Sequence, residues 1–434
     1  MAVTERDLLE RLRASVADRM AAHAGGDRLD AAARRELAQR YIAEELDAHA
    51  RQSLHDGQAT LSPQLEAQLA AAVVDALTGA GLLQQLLDDP DVENIDANGC
   101  DHVWVRRTDG SKLMVGPIAE SDEQMVELIR RIATEIAIGD GGQGEERGID
   151  RNNPHLDLRL RGGYRLHAAV SVCARPSLSI RRPTLIATDL AELTARGMMD
   201  PGLAQVLHAA MVARLNIVIA GGTNVGKTTF ARAAARAIPA RERLITIEDV
   251  FELELYDPVA HPDVVAFQAR RPNLEGVGAV TMSALVRAGL RMNPDRVIVG
   301  EVRGDEVIDL LKAMTQGNDG SFATVHASSS AQAFGRLAMY AVQAPERLAL
   351  DASAMLISQA VHMVVHLGQT RDRARVVTSV REVTGCDGRD VISNEVWTPG
   401  PDGRAVPATP LRAATLDRLE AAGLSARTID QVGW

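Results

Sequence analysis

Apolar residues recur at Leu8, Leu9, Leu12 and Val16, the three-and-four spacing of one helix face, so residues 1–58 read as a small helical module rich in Ala, Arg, Glu and Leu. Its charges nearly cancel, and the faces read either as solvated or as a docking module for a partner. Residues 61–87 continue in helical composition and stop at Asp88-Asp89-Pro90. The period then changes. Val103-Trp104-Val105, Thr108-Asp109-Gly110 and the run 112–115 predict a hairpin, 125–138 a helix, and the alternation in 156–160 and 164–172 two half-buried strands. Residues 139–148 are too glycine-rich and charged for an element interior and read as a loop. A linker is expected from Arg182-Pro183.

From 198 to 395 short apolar runs at 216–220, 244–247, 296–299, 361–367 and 375–383 alternate with helical stretches, the pattern of a parallel sheet covered by helices. Pro399-Gly400-Pro401-Asp402-Gly403 reads as a loop, followed by a helix over 411–422. The division is therefore 1–84 helical module, 85–185 α+β domain, 186–200 linker, 201–395 α/β domain and 396–434 tail with a helix.

Composition narrows the class. A net charge of −11 disfavours general nucleic-acid binding, with one local exception: eight arginines (147, 151, 159, 161, 165, 175, 181, 182) face only Asp150 and Asp157 between 147 and 182. Tyr164 is the sole aromatic there, so base stacking is poorly supplied. Cys100, Cys173 and Cys386 form no C-x-x-C pair, which argues against a zinc site and for a reducing compartment. With no apolar run of spanning length and no leader-like start, a soluble cytosolic chain without membrane insertion is expected.

Of the three lysines, one falls in GGTNVGKT. Gly221, four residues, then Gly226-Lys227-Thr228 match G-x-x-x-x-G-K-[ST], between an apolar strand (216–220) and a helical stretch (230–236). Glycines permit the tight turn that aims backbone N–H groups at phosphate oxygens, and the helix N-terminus adds positive charge. The nucleotide contacts are thus Gly221, Gly222, Thr223, Asn224, Val225, Gly226, Lys227, Thr228 and Thr229, with Lys227 at the β- and γ-phosphates and the Thr228 hydroxyl in the Mg2+ shell.

Hydrolysis also needs an oriented water. Glu301 ends an apolar strand and is the candidate base, reaching Mg2+ through water; Gly300 stands where an aspartate is usual. Glu248 and Asp249 end another strand as metal-shell or water-positioning groups, with helix capping, through Asp249 and Glu252, or a solvent-facing position as the alternative. His326 follows a glycine-rich loop and alone reads as structural. His362 and His366 have helical i,i+4 spacing but no partnered acid and also read as structural. The arginine cluster suits phosphate, since guanidinium forks bind it bidentately.

GGTNVGKTTF, LITIEDVFELEL (244–255), LVRAGLRMNPDRVIVGEVRG (285–304) and GNDGSFATVHA (317–327) together resemble the secretion and pilus ATPases of the type II/type IV secretion superfamily. DVENIDANGCDHVWV (91–105) and YRLHAAVSVCARPSLSIRR (164–182) resemble its Tad/Flp pilus branch. The resemblance implies a RecA-like P-loop core, a smaller α+β N-terminal domain, and a homohexameric ring with ATP and Mg2+ between the two domains. It places Glu248 and Asp249 on an aspartate box, Gly300 and Glu301 on a Walker B box and His326 on a histidine box. Arg159, Arg165, Arg181 and Arg182 fall where that domain offers arginines to nucleotide. It implies a cytoplasmic motor, held at the inner membrane by pilus platform proteins, that powers pilus assembly and retraction. A type IV secretion or conjugation ATPase and a low-turnover nucleotide-dependent scaffold are the alternatives.

Overall fold

The computed structural model describes residues 3–23, 31–57, 60–78, 82–139, 149–160, 164–182, 188–270, 272 and 277–432. The chain forms two compact units, Met1–Thr184 and Leu185–Trp434.

The first unit begins with α1 (Val3–His23), α2 (Ala31–His55), α3 (Pro63–Thr78) and α4 (Leu82–Asp88). Leu8, Leu12 and Val16 pack with Tyr41, Ile42, Leu69 and Val73 in a core of their own, as the helical spacing requires. Then follow β1 (Val92–Asn98), β2 (Val103–Arg107), β3 (Lys112–Val115), α5 (Asp122–Gly139), β4 (His155–Arg159), β5 (Arg165–Ala169) and β6 (Ser177–Arg181). The six strands make an antiparallel sheet ordered β3-β2-β1-β6-β5-β4. Ile95, Val105, Leu158, Leu166 and Ile180 turn one face inward with α5 residues Met125 and Ile129, and the alternate residues are mostly polar, Trp104 and Ala169 excepted. The loop expected at 139–148 lies, past Gly139, outside the described residues.

The second unit runs α6 (Leu190–Ala195), α7 (Pro201–Val212), β7 (Ile217–Gly221), α8 (Lys227–Ala235), β8 (Leu244–Glu248), β9 (Val264–Gln268), α9 (Met282–Gly289), β10 (Arg296–Val302), α10 (Glu306–Thr315), β11 (Phe322–His326), α11 (Ser330–Gln343), α12 (Leu350–Ala360), β12 (Met363–Gln369), β13 (Arg375–Asp387), β14 (Asp390–Pro399), β15 (Ala405–Pro407), α13 (Ala413–Ala421) and α14 (Ala426–Val432). Its sheet is ordered β15-β14-β13-β12-β7-β11-β10-β8-β9, parallel from β12 to β9 and antiparallel beyond. Ile217 and Ile219 enter one helical layer, Val218 and Ala220 the other, which is why β7 is apolar without alternation. The phosphate-loop strand is central, and β11 separates it from the strand bearing Glu301. This is a RecA-like core.

Two boundaries differ from the sequence reading. The expected linker 186–200 contains α6, capped by Asp189 accepting from Glu192 N, with Leu190 and Leu193 in the core. The expected tail is part of the same unit: the Pro-Gly-rich stretch is the β14–β15 turn, and Trp397 is fully buried with Leu411, Leu419 and Val432. Glu382, 1% exposed, ties the tail down by accepting from Arg412 N and Nε and from Thr415 Oγ1.

Candidate active site

Parallel strands deliver their carboxyl ends to one edge, where ligand sites of open α/β sheets form. Register brings Gly221 opposite both His326 and Leu367, and Val299 opposite Ile247, so the ends of β7, β11, β10 and β8 meet there.

The loop after β7 has the backbone that a phosphate cradle demands. Asn224 (φ 63°) and Gly226 (φ 91°) sit in the left-handed region, and Gly226 caps α8. A Cβ on Gly221 would meet Leu367 O at 2.7 Å, so the close approach of β12 excludes a side chain. Lys227 is buried at the start of α8. Its Nζ donates to Gly221 O (3.2 Å) and Gly222 O (2.7 Å) and lies 3.2 Å from His326 Nδ1. Thr228 Oγ1 donates to Glu252 Oε2 at 3.0 Å.

The acids divide their work. Glu248 is 3% exposed, and its Oε1 accepts from Glu252 N and Leu253 N, both at 2.8 Å. No helix follows β8, so its carboxylate holds an extended loop and the helix-capping alternative does not apply. That loop carries Glu252 to Thr228, a placement the sequence reading missed by giving Glu252 only a capping role. A Cβ on Gly300 would lie 2.9 Å from Glu248 Cγ: the neighbouring strand's acid fills the space of the missing aspartate. Glu301 Oε2 accepts from Arg303 Nη2 at 2.6 Å, and Arg303 Nη1 is 3.4 Å from Asp249 Oδ2. His326 Nε2 is 2.7 Å from Glu301 Oε1, but off the hydrogen-bond line, so Oε1 is a buried acceptor without an aligned donor among the described residues. Arg303 went unassigned in the sequence, although its i,i+2 position after Glu301 signals a shared strand face.

His326 faces an ammonium at Nδ1, which requires that nitrogen to accept and leaves the proton on Nε2. Burial, then the charges of Lys227, Arg303 and Arg336, hold its pKa below the ordinary 6.5 against the pull of Glu301. His362 and His366 are not a helical pair: His366 lies on β12, and four residues along a strand separate them by about 13 Å. His362 Nδ1 accepts from Asn216 N (2.9 Å), and His366 Nδ1 is 2.7 Å from Thr378 Oγ1.

A pH dependence follows from His261, His362 and His366, all held below 6.5 chiefly by burial. Folded, they take up protons only at lower pH than in the unfolded chain, which does so below about pH 6.5, so stability falls as pH drops through that value. The melting midpoint should decline between pH 7 and 5.5, and His362→Gln should flatten the decline. A midpoint level across that range contradicts it.

In the other unit, Arg159, Arg165 and Arg181 are mutual register partners across β4, β5 and β6. Opposed residues of an antiparallel pair share a face, so these three form one row, about 10 Å across, on the polar side of the sheet. The row continues through Asn94 and Arg106 to Lys112. Arg182 is placed differently: its Nη1 donates to Asp89 O (2.7 Å) and its guanidinium stacks 5.2 Å from the Tyr164 ring centre. Arg175 is bound to Asp122 and Asp101, a structural role. Arg147 and Arg161 lie outside the described residues.

Among the described residues no helix is long and apolar enough to cross a membrane, and no three His, Cys, Asp or Glu side chains are grouped to hold a metal.

Comparison with known proteins assigns the family. A Mycobacterium tuberculosis (strain H37Rv) protein named for conjugal transfer is 36% identical over 332 residues, 74% of this chain and 89% of the relative. The VirB11 protein of Rhizobium radiobacter is 30% identical over 283 residues, 58% of this chain and 77% of its own length. Among solved structures, the Brucella suis VirB11 ATPase in complex with sulphate is 26% identical, covering 69% of this chain and 95% of that one with a TM-score of 0.37. The Legionella pneumophila ATPase DotB is 21% identical, covering 68% and 79% with a TM-score of 0.47. Residues 76–394 match the family described as type II/IV secretion system protein, and the chain belongs to that family.

Proposed function

We propose that this protein is an ATP-hydrolysing ring motor, a homohexamer, that powers assembly of a Tad/Flp-type pilus from the cytoplasmic side of the inner membrane through platform proteins. The observation that carries the ATPase reading is the meeting of Lys227, His326 and Glu301 at one sheet edge, linked by contacts of 3.2 Å or less, with Thr228 next to Lys227 and bonded to Glu252 at 3.0 Å. The residues fit the nucleotide. Backbone N–H groups of the 221–226 turn and Lys227 would receive phosphate oxygens, and Mg2+ would be held by the Thr228 hydroxyl with water and phosphate oxygens, where it would offset phosphate charge, with Glu252 beside that hydroxyl. Glu248 and Asp249 shape this edge. His326 registers whether Lys227 is turned toward a phosphate or back onto its own loop, a differential contact of the kind ligand-driven motion requires. The basic row of Arg159, Arg165 and Arg181 supplies guanidinium donors suited to phosphate, and Arg182 braces the sheet that bears them.

The pilus assignment rests on segments 91–105 and 164–182. Conjugative or effector secretion is the second reading, favoured by relatives named for conjugal transfer and VirB11. Pull-down of pilus platform proteins supports the first, and of a conjugative channel the second. Lys227→Ala should weaken ATP binding by at least tenfold, read by titration calorimetry or a fluorescent analogue. Wild-type affinity in that variant contradicts the phosphate-site assignment. Turnover indistinguishable from background in the wild-type protein would leave the scaffold reading standing instead. A mass that stays monomeric with ATP analogue removes the ring.

A further inference from the structure

A base is only as selective as the oxygen it presents. A carboxylate has two, and a general base that takes a proton from a positioned water works best when one is occupied and the other aimed. Glu301 meets that condition asymmetrically. Its Oε2 accepts a charge-assisted bond of 2.6 Å from Arg303, and its Oε1 is buried without an aligned donor among the described residues. Arg303 is itself anchored, because its other terminal nitrogen reaches Asp249 Oδ2 beyond the end of β8, 3.4 Å away. The guanidinium thus bridges acids from two neighbouring parallel strands, which a planar fork does and an ammonium does poorly. On the far side, His326 Nε2 stands 2.7 Å from Oε1, while its other ring nitrogen faces Lys227. From Lys227 to Asp249 the groups form one chain of contacts, and Arg303 sets where Glu301 stands in it.

We propose that Arg303 is a positioning residue for hydrolysis: by holding Glu301 Oε2 against Asp249 it leaves Oε1 as the atom that takes the proton of the attacking water. The proposal rests on the ATPase reading above. In the step it serves, the water oxygen bonds to the γ-phosphorus, its proton passes to Oε1, and the bond to the bridging oxygen breaks with the electron pair leaving on ADP. Arg303 touches neither water nor phosphate.

The test uses the full-length protein and steady-state ATP hydrolysis for wild type, Glu301→Gln, Arg303→Ala and Arg303→Lys. Arg303→Ala should lower kcat by about 30- to 100-fold with KM for ATP within about threefold, because it misplaces a group that acts in the transition state and leaves the phosphate loop untouched. Arg303→Lys keeps a cation within reach of Oε2 and should recover at least about threefold of that loss. A merely structural role would instead appear as a raised KM or a lowered melting midpoint, without recovery in the lysine variant. The proposal is overturned if Arg303→Ala turns over within about threefold of wild type, if KM rises while kcat holds, or if the lysine variant is no better than the alanine one. Arg303 is 55% exposed, so the variants should fold. A fully active Glu301→Gln would instead sink the assignment of Glu301 as base, a result distinct from losing Arg303 alone.

Discussion

Glu301→Gln is expected to hydrolyse ATP about a hundred- to ten-thousand-fold more slowly than wild type while binding it with nearly unchanged affinity. The amide preserves size and packing at the end of β10 but removes the lone-pair basicity that a water proton needs, and it weakens the bond from Arg303. Binding is expected to survive because the proposed phosphate cradle, the 221–226 turn and Lys227, does not include Glu301. Single-turnover kinetics with an independent binding titration separate the two quantities. Normal turnover would hand the role to Glu248 or Asp249, which end the adjacent strand.

The second large effect concerns stability. Glu242→Ala is expected to destabilise the second unit by about 3–5 kcal/mol, lowering its melting midpoint by roughly 6–20 °C. Arg296, the first residue of β10, is fully buried; its Nε and Nη2 donate to Glu242 Oε2 (2.7 Å) and Oε1 (2.9 Å), and Nη1 donates to Met211 O (2.8 Å). Removing the carboxylate strands a guanidinium with no water to replace it. The double variant Glu242→Leu with Arg296→Met removes both charges and should recover much of the loss. If the single and double variants melt alike, the penalty is lost packing and the ion pair is incidental.

These two sites differ in how far the sequence showed them. The place of Glu301 was legible because the apolar run before it has few readings other than a buried strand, which puts residue 301 at the strand's carboxyl end. The parallel sheet was legible for the same reason: strands buried on both faces, such as 217–221, are apolar without alternation. Arg296 gave no sign, because a charged residue opening a strand reads as surface until topology buries it between β8, α7 and the 317–320 turn. Trp397 was hidden by its neighbours, since the Pro-Gly-rich stretch after it has the composition of a tail and only the antiparallel return of β14 through β15 makes it a turn. Glu252 and Arg303 were visible as letters but not as partners: Arg303 joins acids at two strand ends that register sets side by side, and Glu252 meets Thr228 only because the loop after β8 reaches the start of α8. The arginine cluster showed its charge but not its sorting: pairing across β4, β5 and β6 draws Arg159, Arg165 and Arg181 into line, and the strand period turns Arg182 away.

The crowding of Gly300 by Glu248 fixes an order for change at this site. A side chain at 300 would enter space that Glu248 fills, and Glu248 cannot swing aside without releasing Glu252 N and Leu253 N, hence the loop that meets Thr228. A descendant acquiring an aspartate at 300 must first shorten residue 248, and in the reverse order the intermediate is strained. The two positions therefore behave as one hereditary unit, in which each substitution is tolerated or refused according to which came before.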